Sequence, residues 1–253
     1  MVSLDVYFEI QDHLLDSVST RFRRYLYTAI NWNARMIGLT GFRGVGKTTL
    51  LLQRLADESK GTSEFLYISA DNPLVLKDGL YNIGNIFFKY GGKLLVVDEA
   101  HRYPDWSLEL KALYDAFPNK KIIFTGSSTM EILRGKADLS RRAVIYNLNV
   151  LSFREYLQIR TGDRIEPVKL DELLINHRKI SVSLLHYEPL KFFSEYLQQC
   201  AFPYFVEGDY YNRVLNTLDK VIYDDIMGVS GIKPRRSCND KEAYCLFGYE
   251  YCS

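Results

Sequence analysis

Short apolar runs alternate with amphipathic stretches over the first 150 residues of the chain. Five of the runs predict strands, because each is brief, rich in β-branched or large apolar side chains and bounded by turn residues. They cover residues 36–40, 64–70, 93–98, 121–126 and 143–150. The segments between them predict helices at 47–59, 76–90, 106–117 and 129–135, the second of them broken near its glycines. Alternating strands and helices are typical of a parallel sheet covered on both faces. We therefore predict an α/β fold with a doubly wound, mainly parallel sheet.

Helical periodicity continues on either side of this alternation. Residues 11–30 have apolar side chains at helical spacing, and the arginines at 21, 23 and 24 favour a solvated basic face over a phosphate contact. After residue 150 the strand signals fade, and smaller helical segments follow at 152–160, 170–181, 188–200 and 210–227. The last residues show no sustained period. The predicted organisation is a core at 1–150, a helical, lid-like region at 151–227 and an irregular tail at 228–253.

Composition and charge narrow the classes of function. The chain has 32 Lys and Arg against 31 Asp and Glu, so the basic excess of a dedicated nucleic-acid binder is absent. The N-terminus does not resemble a secretory signal, and no apolar run is long enough to span a bilayer. We expect a cytoplasmic protein without membrane contact. The spacing of Cys238, Cys245 and Cys252 matches no common zinc site, so free thiols are favoured over a metal knuckle.

A glycine-rich loop after the first predicted strand carries the strongest chemical signal. The stretch GFRGVGKT fits the pattern G-x-x-x-x-G-K-[ST], in which the glycines let successive backbone N–H groups point at phosphates. Lys47 would bridge the β- and γ-phosphates, and Thr48 would bind Mg²⁺. The helix that follows would present its positive end to the anion. The loop residues predicted to contact the nucleotide are Gly41, Phe42, Arg43, Gly44, Val45, Gly46, Lys47, Thr48 and Thr49.

Two adjacent carboxylates end the third predicted strand, in the stretch LLVVDEAH. At the carboxyl end of a buried strand, acidic groups can reach the metal and the attacking water of a phosphate site. We expect Asp98 to hold Mg²⁺ and Glu99 to polarise the water. A packing or surface role is favoured for His101.

Polar side chains also follow the fourth predicted strand, in the stretch KIIFTGSST. Of Thr125, Ser127 and Ser128, we favour Ser127 as the group that senses the γ-phosphate or orients the water, with a plain turn as the alternative. Farther along, either Arg141 or Arg142 could neutralise the leaving phosphoryl group, in cis or across a subunit boundary. A solvated pair at a helix end is equally consistent with the pattern.

Four segments in this order resemble the AAA-type ATPases of the AAA_14 family: TGFRGVGKTTLL, LLVVDEAHRYPDW, IIFTGSST and LSRRAVIYNLNVLSFREYL. Members of this family often pair the ATPase core with a C-terminal DUF4143 domain. Arg142 matches the family arginine, Arg141 replaces its usual glycine, and Ala201 departs from a Gly-Gly-Phe-Pro type motif. The resemblance implies a P-loop NTPase fold, ATP and Mg²⁺ as ligands, and a C-terminally truncated chain.

An ATPase that couples hydrolysis to conformational change is the function that these residues favour, with Lys47, Glu99, Ser127 and Arg142 as catalytic candidates. The alternative is a nucleotide-dependent switch or scaffold that binds ATP with little turnover. Glu99 favours hydrolysis, since a protein that only binds can dispense with a water-activating carboxylate. A DEAH helicase is disfavoured, because it needs a second nucleotide-binding fold and the strand-helix alternation does not recur after residue 150. A small-molecule kinase is also disfavoured, because the adjacent Asp98 and Glu99 fit water activation better than an acceptor pocket. A homo-oligomer and an unidentified macromolecular partner both stay open.

Overall fold

Five parallel strands form one sheet in the order β2-β3-β4-β1-β5. The computed structural model describes residues 2–58, 62–126, 139, 141–199 and 201–221. The strands are β1 (Met36–Thr40), β2 (Phe65–Ser69), β3 (Leu94–Asp98), β4 (Lys121–Gly126) and β5 (Val144–Asn147). The predicted α/β fold with a parallel sheet, followed by a helical region, is confirmed.

The register of the sheet brings the ends of three strands together. Thr40 at the end of β1 pairs with Gly126 of β4 on one side and with Asn147 of β5 on the other. On the far side of β4, Val97 of β3 pairs with Phe124. The carboxyl ends of β1, β3 and β4 therefore lie at the same edge, which is where α/β sheets bind ligands.

Apolar helices cover both faces of the sheet. They are α1 (Asp5–Ser17), α2 (Leu26–Ala29), α3 (Lys47–Glu58), α4 (Pro73–Asp78), α5 (Leu80–Lys89) and α6 (Trp106–Ala116), with a 3₁₀ turn at Ala100–Arg102. One apolar cluster joins α5 and α6 to the sheet, and a second joins α2 and α3 to the opposite face. Every residue of β1 and of β3 is buried, because both strands lie inside the sheet and are covered on each side.

The predicted single helix at 11–30 is wrong, because α1 ends at Ser17 and α2 does not begin until Leu26. Two hydrogen bonds from the rest of the fold replace helical ones in between. The amide of Gln53 on α3 donates to the carbonyl oxygens of Ser19, at 2.7 Å, and Phe22, at 2.8 Å. The interpretation of the three arginines as a solvated face also fails for Arg24, which is only 5% exposed.

Four helices follow the sheet in the part of the chain described up to residue 221: α7 (Phe153–Thr161), α8 (Leu170–Leu184), α9 (Pro189–Gln199) and α10 (Tyr210–Lys220). Short 3₁₀ helices lie at Leu185–Tyr187 and Pro203–Glu207. Helix α7 begins with a capping box between Ser152 and Glu155 and ends at Gly162, whose φ is +83°. We call residues 151–221 the helical region; the predicted domain boundary near residue 150 stays a prediction.

Three of the sequence-based expectations fall outside the described residues: the helix at 129–135, the irregular tail at 228–253 and the thiols at 238, 245 and 252. Within the part of the chain that the structure describes, no helix is both long and apolar enough to cross a membrane.

Candidate nucleotide site

The loop between β1 and α3 curls through three glycines with positive φ: Gly41 at +149°, Gly44 at +81° and Gly46 at +93°. Side chains rarely adopt these angles, and two of the positions are also crowded. A Cβ at Gly41 would lie 2.2 Å from the carbonyl oxygen of Leu148, and one at Gly44 would lie 2.7 Å from the ring of Tyr204. We call residues 41–48 the phosphate loop. Because α3 begins at Lys47, the N-terminal end of that helix opens onto this loop.

Lys47 lies folded over the phosphate loop. Its side chain is buried, at 4% exposure. The ammonium donates to the carbonyl oxygens of Gly41, at 3.0 Å, and Phe42, at 3.1 Å. A buried ammonium beside a loop with three glycines of positive φ suits a bound phosphate chain, so the loop fits the triphosphate of a nucleotide.

Asp98, at the end of β3, joins three hydroxyl groups. Its Oδ2 accepts hydrogen bonds from Thr48 at 2.6 Å and from Tyr67 at 2.9 Å, and its Oδ1 accepts one from Thr125. The structure thus brings together the two predicted metal ligands, Thr48 in the first turn of α3 and Asp98 at the end of β3. Hydroxyl and carboxylate oxygens are the ligand type that Mg²⁺ prefers, so this pair fits the ion.

Glu99 has a left-handed backbone, with φ +49°. Its N–H donates to the hydroxyl of Thr125 at 2.8 Å, so the same hydroxyl fixes both carboxylate residues. Burial raises the pKa of the Glu99 carboxyl, the charge of Lys47 opposes that rise and the charge of Asp98 adds to it. A carboxylate with a raised pKa accepts a proton more readily than an ordinary surface carboxylate.

His101 lies beside this carboxylate, with its Nε2 3.5 Å from Oε2 of Glu99. The imidazole is 3% exposed. Burial, with the neighbouring charges of Arg102 and Lys47, lowers its pKa to about 4. At neutral pH His101 is therefore an uncharged neighbour of Glu99, not one half of an ion pair.

Of the arginine and serine candidates, only the arginines are among the described residues. Ser127 and Ser128 are outside the described residues. Arg142 comes just before β5, and its guanidinium donates to both carboxylate oxygens of Asp115, at 3.0 and 3.1 Å. Since a strand rises about 3.3 Å per residue, Arg142 lies on the order of 15 Å from the level of the phosphate loop, near the amino ends of the strands. Arg142 therefore does not meet the loop of its own chain.

The positive charge of Arg43 acts on two groups at the carboxylate side of the site. Its charge lowers the pKa of both Glu99 and His101. Lys47 acts on both groups in the same direction, so the loop places two positive charges near the end of β3.

A segment of the helical region covers the phosphate loop, and the sequence pattern did not predict this contact. Pro203 lies 3.8 Å from the position of a Cβ at Gly46, and Tyr204 is in contact with Gly44. The rings of Phe202 and Tyr204 are parallel, 5.2 Å apart. The stretch AFPY was noticeable in the sequence only as a variant of a family motif, which gives no information about its position in space.

The chain is similar to known proteins in sequence. The model of the AAA_14 family, described as an AAA domain, matches residues 33–157, which contain the phosphate loop and both carboxylates. The protein MJ1637 of Methanocaldococcus jannaschii is 35% identical over 218 residues, which cover 79% of this chain and 45% of that protein. The chain thus spans less than half the length of this relative.

Solved structures of similar shape include AMPPCP-bound DnaA from Aquifex aeolicus, with 20% identity and a TM-score of 0.41, over 76% of this chain and 65% of that one. Another is the Walker-type ATPase PABY2304 of Pyrococcus abyssi, with 16% identity and a TM-score of 0.47, over 82% and 74%. The sheet order of this chain is that of P-loop NTPases. Residues 33–157 of this chain form an AAA domain of the AAA_14 family of P-loop ATPases.

Proposed function

We propose that this chain binds ATP with Mg²⁺ and hydrolyses it. The observation that carries the proposal is the arrangement of Glu99, a partly buried carboxylate with a raised pKa, whose N–H bonds Thr125 next to the Thr48 and Asp98 pair. A site that only binds a nucleotide has no need for a second carboxylate in this place.

The phosphate loop and Lys47 hold the phosphate chain in this proposal, through backbone N–H groups and one ammonium. Thr48 and Asp98 hold Mg²⁺, which supplies positive charge to the phosphate oxygens when bound. Glu99 orients the attacking water and accepts its proton. The hydroxyl of Thr125 bonds both Asp98 and Glu99 and holds them in position. The role of Ser127 as a sensor of the γ-phosphate stays a prediction.

Arg142 fits this proposal only as a group that acts on a neighbouring copy of the chain. Its position near the amino ends of the strands and its ion pair with Asp115 separate it from its own loop. A second copy that presents Arg142 to this site would add a guanidinium beside the leaving phosphoryl group. A homo-oligomer is therefore part of the proposal.

A nucleotide-dependent switch is the second candidate. The cover that Phe202 and Tyr204 form over Gly44 favours it, because a covered phosphate loop exchanges its nucleotide slowly. In this second candidate function, ATP binding moves the helical region toward a macromolecular partner, and the bound ATP is rarely hydrolysed.

Phosphate release from Mg-ATP by the parent chain, Lys47→Ala and Glu99→Gln separates these candidates. We expect Lys47→Ala to lose ATP affinity, and Glu99→Gln to bind ATP but turn over about a hundredfold more slowly, the scale of losing a positioned base. The matched control is Glu64→Gln, which changes a more exposed carboxylate paired with Lys93 and should behave like the parent.

Two outcomes would change the proposal. Equal turnover by the parent and Glu99→Gln would show that Glu99 is not the base. Tight ATP binding by a parent without turnover would favour the switch. Mixing inactive Arg142→Ala with inactive Lys47→Ala tests the arginine, because activity returns only if Arg142 of one copy serves the site of another.

A further inference from the structure

A single buried guanidinium joins three separate parts of the molecule. Nε of Arg24 donates to Oε1 of Glu155 at 2.8 Å, and Nη1 donates to the carbonyl oxygen of Val45 in the phosphate loop. Nη2 donates to the carbonyl oxygens of Asn149, at 2.7 Å, and Val150, at 3.1 Å. Arg24 thus links the phosphate loop, the segment after β5 and the first turn of α7.

Glu155 is fixed as firmly as the arginine it holds. Its Oε2 accepts from the N–H and from the hydroxyl of Ser152, both at 2.9 Å, and its Oε1 accepts from the N–H of Tyr25 at 2.9 Å. Burial tends to raise the pKa of this carboxyl, but the hydrogen bonds and charge of Arg24 more than offset burial, so the pKa lies below its ordinary value. Glu155 therefore stays ionised at neutral pH, and the pair remains a pair of charges.

The carbonyl of Val45 explains why such a pair is useful beside a phosphate loop. Val45 is fully buried between Gly44 and Gly46. In a loop that cradles an anion the N–H groups must face inward, so carbonyl oxygens turn outward, and a buried carbonyl needs a donor. A charged donor on that outer side holds the peptide in the orientation that the anion requires.

We propose that Arg24 and Glu155 are positioning residues for the phosphate loop and tie its conformation to helix α7. The proposal rests on the proposed function, since the orientation of the loop matters only if the loop holds phosphate. It makes α7 the element through which the helical region responds to ATP. Arg24 acts from behind the loop and touches no substrate.

Arg23 is a matched control. It is next to Arg24 in the chain and also forms a two-pronged ion pair, with Asp57 near the end of α3, at 2.5 and 2.7 Å. That pair contacts the end of α3 away from the phosphate loop and is about one-third exposed, at 32% for Arg23 and 35% for Asp57. The same substitution at both positions therefore separates a general effect on the fold from an effect on the loop.

The test compares Arg24→Lys with Arg23→Lys in the full chain. Lysine keeps the charge opposite Glu155 but cannot reach Glu155 and Val45 with a single fork of donors. We expect the Kd for Mg-ATP, measured by calorimetric titration, to rise at least about tenfold in Arg24→Lys, the scale of losing a charge-assisted hydrogen bond, and to stay at the parent value in Arg23→Lys.

The thermal midpoint with and without saturating Mg-ATP provides the second measurement. A positioning role predicts that Arg24→Lys loses part of the stabilisation that ATP gives to the parent, because that stabilisation depends on the Kd. A parent-like Kd, with a midpoint lowered equally with and without ATP, would mean that the pair is merely structural and would overturn the proposal.

A double variant covers the case in which Arg24→Lys does not fold. Arg24→Gln combined with Glu155→Gln removes both charges and leaves neither buried alone. The same rise in Kd is expected, and a parent-like Kd overturns the proposal. A parent chain that does not bind Mg-ATP at all overturns the proposed function as well, so the two failures are distinguishable.

Discussion

The α/β core and the helical region differ in what burial contributes to each. Leu39, Val97 and Phe124 are typical of the core, with exposures of at most 1%. In the helical region, no described residue after Leu157 is buried. A sheet covered on both faces excludes water from whole strands, whereas these helices bury side chains only in part. Stability is therefore concentrated in the core, and the helical region can change position at a lower cost.

The two regions also contribute different chemistry to the site. The core supplies buried polar groups, among them Lys47 at the start of α3 and Asp98 and Thr125 near the ends of their strands, each at most 4% exposed. The helical region supplies the apolar cover formed by Phe202 and Tyr204. The proposed catalytic residues thus belong to the part of the molecule that is costly to deform, and the cover over the phosphate loop belongs to the part that is not.

A pair of leucine truncations should show the largest difference between the regions. Leu95 on β3 is fully buried, and Leu174 on α8 is 68% exposed. We expect Leu95→Ala to lower the free energy of unfolding by about 2–5 kcal/mol, because it removes buried methyl groups and leaves a cavity. Leu174→Ala should change it by less than about 0.5 kcal/mol. Urea unfolding followed by circular dichroism measures both.

A large loss in Leu174→Ala would contradict the comparison. It would mean that α8 is packed against another surface in solution, such as a second copy of the chain. Dependence of that loss on protein concentration would identify the second copy as the cause.

The attachment of α7 to α9 should give an intermediate effect. Tyr156 is buried among the rings of Phe192, Tyr196 and Phe205, and its hydroxyl donates to Glu195 at 3.0 Å. Tyr156→Phe removes this hydrogen bond between a buried hydroxyl and a carboxylate that is 38% exposed, so we expect a loss of about 1 kcal/mol. Because α7 is then held less firmly, the rate of proteolysis in the segment that connects α7 to α8, at residues 162–169, should also rise.

The control for this change is Tyr211→Phe. Tyr211 is 60% exposed, and its hydroxyl donates a long hydrogen bond, 3.4 Å, to the carbonyl oxygen of Gln198. Its removal should leave both unfolding and proteolysis unchanged. If Tyr156→Phe also has no effect, the aromatic rings alone hold α7 and α9 together.

The strands and the phosphate loop could be predicted from the sequence because their signals are local. The run at 36–40 has no polar side chain before Thr40, and the structure shows β1 over the same residues. The loop motif and the Asp98 and Glu99 pair depend on residue types at fixed spacing, next to strands that the pattern also reveals. Short-range information is sufficient for features of this kind.

Features held by long-range contacts could not be predicted in this way. Thr125 bonds Glu99 across 26 positions, and Arg24 bonds Glu155 across 131. The bond between Arg24 and Glu155, together with the hydrogen bonds from Gln53, also explains why helical spacing at 11–30 wrongly predicted a single helix. Periodicity describes which face of a segment is apolar, but it does not show which distant polar group will take over its backbone hydrogen bonds.

Two ion pairs provide the smallest predicted difference, and it depends on pH. The hydrogen bonds from Arg23 lower the pKa of Asp57 to about 2, whereas the pair of Arg164 and Glu166 is exposed, at 64% and 68%. Because the folded Asp57 binds its proton less tightly than the unfolded one, its stabilisation is present above about pH 4 and is lost as the pH falls toward 2. Solvent screening limits it to less than about 1 kcal/mol.

The measurement is the free energy of unfolding of the parent, Asp57→Asn and Glu166→Gln between pH 7 and pH 2. Asp57→Asn should be less stable than the parent at pH 7, and the gap should close as the parent takes up its proton. Glu166→Gln should follow the parent at every pH, since an ion pair as exposed as this one contributes little. A gap of equal size in both variants would mean that the helical region orders its surface as firmly as the core does, and the contrast between the two regions would then hold for apolar packing alone.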